Sequence, residues 1–416
     1  MKSKLESVRP EELIPFPQLR RIVSGHIPAL DGLRGVAILL VMIGHFYWSP
    51  TLHNRMLELL AYLPGAGWTG VELFFVLSGF LITGILLDSE GAENYLSSFY
   101  LRRALRILPL SYATLFVAFV LCPLLGKLGV PHMPHEFSIR QIWYWLYVQN
   151  WAGIWGQSLG YLGHFWSLAV EEQFYIVWPW VVLLTSRRTL ARVCIVLPLA
   201  SQIIRILPFP KGLEEGVVYS LTVTQLDGLA LGGLVALIVR DETLFRRITP
   251  CLNYLVYAGL GLFGIVGLVD KSFNMWGRAF TVGTLPVAIS FSGLLLKSVI
   301  TTGSNLRFQR FLAAGWLRSC GKYSYAMYVL HFPMQQLYET LVTQNLLLYV
   351  RHTHLRDSLH HPGFSVGFAL LTLGILQVAM LCVISYGLAR LSWWALEGPF
   401  NDLKRHFNPR WSYHHT

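Results

Sequence analysis

Long apolar runs recur along the chain from residue 33 to residue 392, separated by short polar connections. A helix needs about 20 apolar residues to cross a bilayer core of about 30 Å. The runs are continuous rather than alternating, so they predict helices and not the strands of a barrel. Inside lipid only these two structures satisfy every backbone polar group. The pattern predicts ten spans, at roughly 33–49, 68–87, 107–126, 166–185, 190–209, 219–239, 251–270, 279–298, 323–348 and 365–391. Segment 139–156 is dense in Trp and Tyr and suits an interfacial helix. If it crossed, Arg187 and Arg188 would fall on the wrong side. The expected fold is an all-α polytopic membrane bundle of about ten transmembrane helices, with 139–156 lying on the outer surface.

Composition sharpens this. Of the 416 residues 54% are hydrophobic, 14% aromatic and only 13% charged, against about a quarter charged in soluble chains. Mean hydropathy is +0.49. The net charge of +11 does not mark a nucleic-acid binder, because the basic residues sit between apolar runs and form no single patch. Arg20 and Arg21, Arg102, Arg103 and Arg106, Arg187, Arg188 and Arg192, and Arg240, Arg246 and Arg247 all fall on one side if both termini are cytoplasmic. So do Lys297, Arg307, Arg310, Arg318, Lys322, Lys404, Arg405 and Arg410. Residues 1–30 mix charges with Pro15 and Pro17 and do not read as a cleaved signal peptide. The expected organisation is a cytoplasmic basic segment 1–25, a membrane domain 26–400 and a cytoplasmic tail 401–416, with no soluble domain at either end. The five cysteines are isolated, without metal-ligand spacing. The pairs His132/His135, His352/His354 and His360/His361 read as solvated loop histidines, so no metal is expected.

Ionisable residues inside apolar spans are costly, which makes them functional suspects. Arg34 and His45 in the first span are eleven positions apart. At 100° per residue they return nearly to one helix face, about 16 Å apart along the axis. Arginine suits phosphate recognition and histidine suits proton transfer. Read singly, Arg34 is equally a topology-setting flank and His45 an interhelical hydrogen bonder. Arg103 and Arg106 share a face at i and i+3 while Arg102 points elsewhere; they fit a polyanion, and also lipid headgroups. Glu171 and Glu172 are adjacent and about 100° apart, so they cannot both face one site. Glu72, Asp227, His331 and Glu397 read singly as helix–helix glue.

Taken in order, LDGLRGVAILLVMIGHF, VELFFVLSGFLITGILL, FYLRRALRILPLSY, HFWSLAVEEQFYIVWP, LDGLALGGLVA, GKYSYAMYVLHFP and LEGPF resemble the membrane acyltransferase-3 family of bacterial O-acyltransferases, over about residues 26–400. The family's arginine-x10-histidine motif matches Arg34 and His45, and its RxxR motif matches Arg103 and Arg106. The resemblance implies a bacterial inner-membrane enzyme with cytoplasmic acyl-coenzyme A, generally acetyl, as donor substrate and no permanently bound cofactor. It implies an extracytoplasmic glycan or lipid-linked hydroxyl as acceptor. His45 would be the general base or an acyl carrier, with Arg34, Glu171 and Glu172 in the catalytic set and Arg34, Arg103 and Arg106 on the donor phosphates. Ser78, His331 and Glu397 would support them, and Ser78 or Tyr175 could serve as oxyanion donor. Glu397 matches the family's acidic residue near the last span, but Gly398 stands where members commonly carry arginine. Some relatives append a soluble hydrolase-like domain; here the membrane domain is expected to act alone or with a partner. The alternatives are a secondary transporter or flippase, against which the lack of an internal repeat counts, and a non-catalytic lipid-binding scaffold.

Overall fold

A computed structural model describes residues 14–23, 25–47, 63–129, 139–155, 160–207, 215–270, 273, 278–343 and 364–411. The three histidine pairs of the loops lie outside the described residues. Among the described residues the chain is helical throughout, with no strand. The long helices are α1 Pro28–Phe46, α2 Thr69–Asp88, α3 Tyr95–Phe116, α4 Trp166–Leu184, α5 Arg187–Ile206, α6 Leu226–Ile238, α7 Leu252–Asp270, α8 Thr284–Ile300, α9 Ser324–Tyr338 and α10 Phe364–Ser392. Each overlaps one of the apolar runs. Six stretches are long and apolar enough to cross a membrane, Pro28–Phe46, Leu63–Asp88, Tyr95–Lys127, Arg187–Ile206, Glu242–Asp270 and Leu371–Phe407, while α6 and α8 are shorter apolar helices. The chain is a multi-pass helical membrane protein.

Local chemistry sets the helix ends. Pro28 opens α1 at a position where its missing N–H costs nothing. The Ser186 hydroxyl caps α5 by accepting from the Thr189 N–H at 3.3 Å. At the centre α2 packs against α1, α4, α6 and α8, and α9 packs against α1 and α10. Helices can approach this closely because small residues line the α2–α6 seam. A Cβ at Gly79 would stand 1.9 Å from the Leu229 carbonyl oxygen, and one at Gly232 2.0 Å from that of Val76.

The described part of segment 139–156, residues 139–155, is not one helix, in contrast to the sequence-based expectation. It forms short turns at Ile139–Gln141, Ile142–Trp145 and Gln149–Trp155, broken where Tyr147 takes φ +53°. Its polar groups explain the break. Asn150 Nδ2 donates to Ser220 O at 3.1 Å and Thr222 Oγ1 at 2.9 Å. Gln173 Nε2 on α4 donates to Tyr147 O and Asn150 Oδ1 at 2.7 and 2.9 Å. The segment thus trades helical bonds for anchors on α4 and on the turn before α6.

Candidate active site

The first half of α1, α3 and α4, the middle of α2 and the start of α9 enclose a cavity of about 90 Å³. Arg34, Arg103 and Arg106 line it together with Ser78, Ser167, Glu171, Tyr175, Tyr325 and Tyr328. A second space of about 160 Å³ lies against it, walled by the same three arginines and by Arg102, Ser98, Tyr95 and Lys404. The sequence-predicted arginines therefore meet in one place, although Arg34 is far from the other two along the chain.

Arg102 corrects the helix-face argument. It joins the basic mouth because the C-terminal segment folds back over the start of α3, where Arg102 Nη1 donates to Asn408 Oδ1 at 3.1 Å. The fold-back is latched by Ser98 Oγ donating to Phe407 O at 2.6 Å and by Asn94, whose Nδ2 donates to Asn408 O at 3.0 Å. Asn94 Oδ1 in turn accepts from the Arg410 N–H at 2.8 Å. Arg106 lies over the Trp393 ring with its Cζ 5.6 Å from the centroid, and Lys322 Nζ is 5.3 Å from the same ring. Glu397, on the wider turn Trp393–Glu397, is buried and accepts from Ser392 Oγ at 3.1 Å. No ion pair to Glu397 occurs among the described residues.

Deeper in, Glu171 is the polar centre. Ser78 Oγ donates to its Oε1 at 2.8 Å and Tyr175 OH to its Oε2 at 3.1 Å. Arg103 stands over Tyr175, its Cζ 5.7 Å from the ring centroid. The two candidate oxyanion donors, Ser78 and Tyr175, both have their hydroxyls on this carboxylate. Glu172 does not line the cavity, and its Oε1 is buried without a partner among the described residues. The 100° offset of neighbouring helical residues separates the two carboxylates, as the sequence required.

His45 is placed beyond this cavity, at the far end of α1. Its Nδ1 donates to Val41 O at 2.9 Å, and its ring meets those of His331 and Phe332 at centroid distances of 5.0 and 5.6 Å. His331 in turn meets His164 at 5.0 Å. Tyr328 connects the two regions: it lines the cavity, bonds Ser167 Oγ, donates to His164 O at 2.7 Å, and lies 5.4 Å from the His331 ring. His164, Ser167 and Tyr328 escaped prominence in the sequence. The available signal was Tyr328 three residues before His331, on the same helix face.

Away from this site, Arg205 Nη2 pairs with Asp227 Oδ2 at 2.6 Å, both side chains being fully buried. Asp227 is thus interhelical glue between α5 and α6, as expected. Glu72 is fully buried beside them, its Oε2 3.2 Å from where a Gly228 Cβ would stand.

Fold and site together define a multi-pass membrane protein with a basic-mouthed internal cavity and a histidine cluster that touches its wall at Tyr328. The family model described as an acyltransferase domain matches residues 27–394, and the chain belongs to this acyltransferase-3 family. The O-acetyltransferase OatA of Staphylococcus aureus is 30% identical over 345 residues, 77% of this chain and 52% of the relative. The peptidoglycan O-acetyltransferase OatA of Listeria monocytogenes is 26% identical over 331 residues, 74% of this chain and 49% of the relative. A Bacillus subtilis protein is 30% identical over 328 residues, 74% of this chain and 48% of its own length. The chain spans about half the length of the curated relatives it matches. No solved structure matches it significantly.

Proposed function

We propose that this chain moves an acyl group, acetyl by analogy with its relatives, from acyl-coenzyme A to a hydroxyl of an extracytoplasmic glycan, with peptidoglycan the first candidate. The observation that carries this reading is the meeting of Arg34, Arg103 and Arg106 on the wall of one buried cavity whose Tyr328 in turn contacts the histidine cluster. Three guanidiniums in one mouth suit a nucleotide polyphosphate. The cavity is narrow, which suits an extended pantetheine arm. Arg34 and His45 stand about 16 Å apart along α1, so one extended donor could reach from the first towards the second.

In this reading the chain crosses the inner membrane ten times with both termini cytoplasmic, the arginine mouth facing the cytoplasm and His45 the outer half. The ten apolar runs each correspond to a helix, and the basic connections then share one side. His45 Nε2 accepts the acceptor hydroxyl's proton as that oxygen attacks the thioester carbonyl, and coenzyme A leaves as its thiol. General base catalysis of this kind contributes about 10²–10⁴ in rate, and fixing the donor by its phosphates adds positioning. Glu171, held by two hydroxyls, orders the polar wall of the passage.

The test uses proteoliposomes containing the full chain, with radiolabelled acetyl-coenzyme A outside the mouth and a glycan fragment as acceptor. Label should reach the acceptor with release of coenzyme A. H45A should abolish transfer while donor binding persists, and R103E/R106E should weaken donor binding itself. Normal transfer by folded H45A would falsify the role of His45. Glycan movement without coenzyme A release would replace the reading with transport.

A further inference from the structure

Three imidazoles from three separate elements meet at the inner end of the site: His45 of α1, His331 of α9 and His164 of the turn before α4. The His45–His331 and His331–His164 centroid separations are both 5.0 Å, with rings at 66° and 75°. Each ring has one nitrogen on a backbone carbonyl: His45 Nδ1 on Val41 O at 2.9 Å, His331 Nδ1 on Tyr328 O at 2.6 Å, and His164 Nε2 on Val329 O at 3.3 Å. A carbonyl oxygen only accepts, so those three nitrogens carry the hydrogen. Their bonds fix the tautomers and leave His45 Nε2, His331 Nε2 and His164 Nδ1 as lone-pair nitrogens. His331 Nε2 and His164 Nδ1 are buried and without a partner among the described residues. Stranded buried acceptors are costly and call for a functional explanation. Among the described residues, no three His, Cys, Asp or Glu side chains converge in metal-binding geometry.

The neighbours point to a proton as the missing partner. Phe332 stacks on His164 and meets His45 edge-on, adding an apolar wall to the cluster. Towards the cavity the next groups are the Tyr328 and Ser167 hydroxyls, in contact with one another, and beyond them Glu171. The three lone-pair nitrogens therefore lie in one cluster, where a proton taken up by His45 can be shared.

We propose that His331 and His164 act with His45 as a proton relay, returning the acceptor's proton to the departing thiolate. This rests on the function proposed above. The acceptor O–H bond breaks and its proton goes to His45 Nε2; the new O–C bond forms and the C–S bond breaks. The proton is shared with His331 Nε2 and His164 Nδ1 and returns through His45 Nε2 to the thiolate sulfur, which leaves the same carbon that the acceptor oxygen attacks. The proton lost by the alcohol is the one gained by the thiol, so no further reagent is required. His331 and His164 are positioning and relay residues rather than groups that touch the acyl carbon.

The test separates relay from scaffolding. In H331N the amide retains a donor for Tyr328 O but has no Nε2 lone pair; H164Q likewise retains the donor to Val329 O and loses Nδ1. Each should slow transfer about 10²-fold, with donor affinity within about twofold of wild type. Rates in H2O–D2O mixtures should bow for the wild type, where several protons move, and run linear in both variants. A wild-type rate in either variant, or an unchanged bowed plot, overturns the relay. If H331N does not bind donor, H164Q decides by the same readouts. Inactive H45A with fully active H331N and H164Q refutes the relay alone. Active H45A refutes the function beneath it.

Discussion

The buried Arg205–Asp227 pair allows a stability prediction that owes nothing to the function. Both side chains are 0% exposed, and the guanidinium also donates to Thr224 O and, at 3.0 Å, to Gln202 Oε1. Arg205→Met removes the cation and leaves the Asp227 carboxyl unpaired beside the equally buried Glu72. Losing one partner of a buried pair costs about 3–5 kcal/mol. The orphaned Thr224 and Gln202 oxygens belong to the same broken network, so their costs are not added in full. Against a total stability of about 5–15 kcal/mol, this is a large loss. Detergent-purified protein, unfolded reversibly by increasing SDS in mixed micelles and followed by Trp fluorescence, would measure it. Arg205→Met/Asp227→Leu replaces the pair by apolar groups and should recover all but about 1–2 kcal/mol, since such replacements are often neutral. The reasoning fails if Arg205→Met lies within about 1 kcal/mol of wild type, or if the double variant is no better than the single one.

Two further predictions follow from packing and from the C-terminal latch. Gly79→Ala forces α2 and α6 apart, because its Cβ would stand 1.9 Å from a backbone oxygen; the overpacking cost is about 1–3 kcal/mol, read in the same SDS titration, and an unchanged midpoint would contradict the seam. Asn94→Ala removes two bonds to the segment ending at Arg410, worth about 0.5–1.5 kcal/mol each. Tryptic cleavage after Arg405 should accelerate about tenfold and acetyl-coenzyme A should bind more weakly at the mouth; cleavage at the wild-type rate would mean that the latch holds nothing.

Hydrophobic patterning alone determined that the chain is embedded and where its long helices run, and the ordered motifs carried the resemblance to its family. The 3.6-residue period also placed Arg34 with His45, and Arg103 with Arg106, on common faces, and it kept Glu171 apart from Glu172. These are local properties: rotation along one helix is read directly from residue spacing. The sequence could not say which face of a helix turns inward. In lipid both the core-facing and the lipid-facing sides are apolar, so the amphipathic signal that orients a soluble helix is absent. Only the tertiary structure decided that Glu171 rather than Glu172 reaches the cavity, and that Ser78 and Tyr175 spend their hydroxyls on it. The return of the tail over α3 brought Arg102 to the mouth against the prediction from helix rotation, and Lys404 with it. The meeting of His45, His331 and His164 depends on three elements distant in sequence, whose adjacency follows from how the helices pack and not from any one of their patterns.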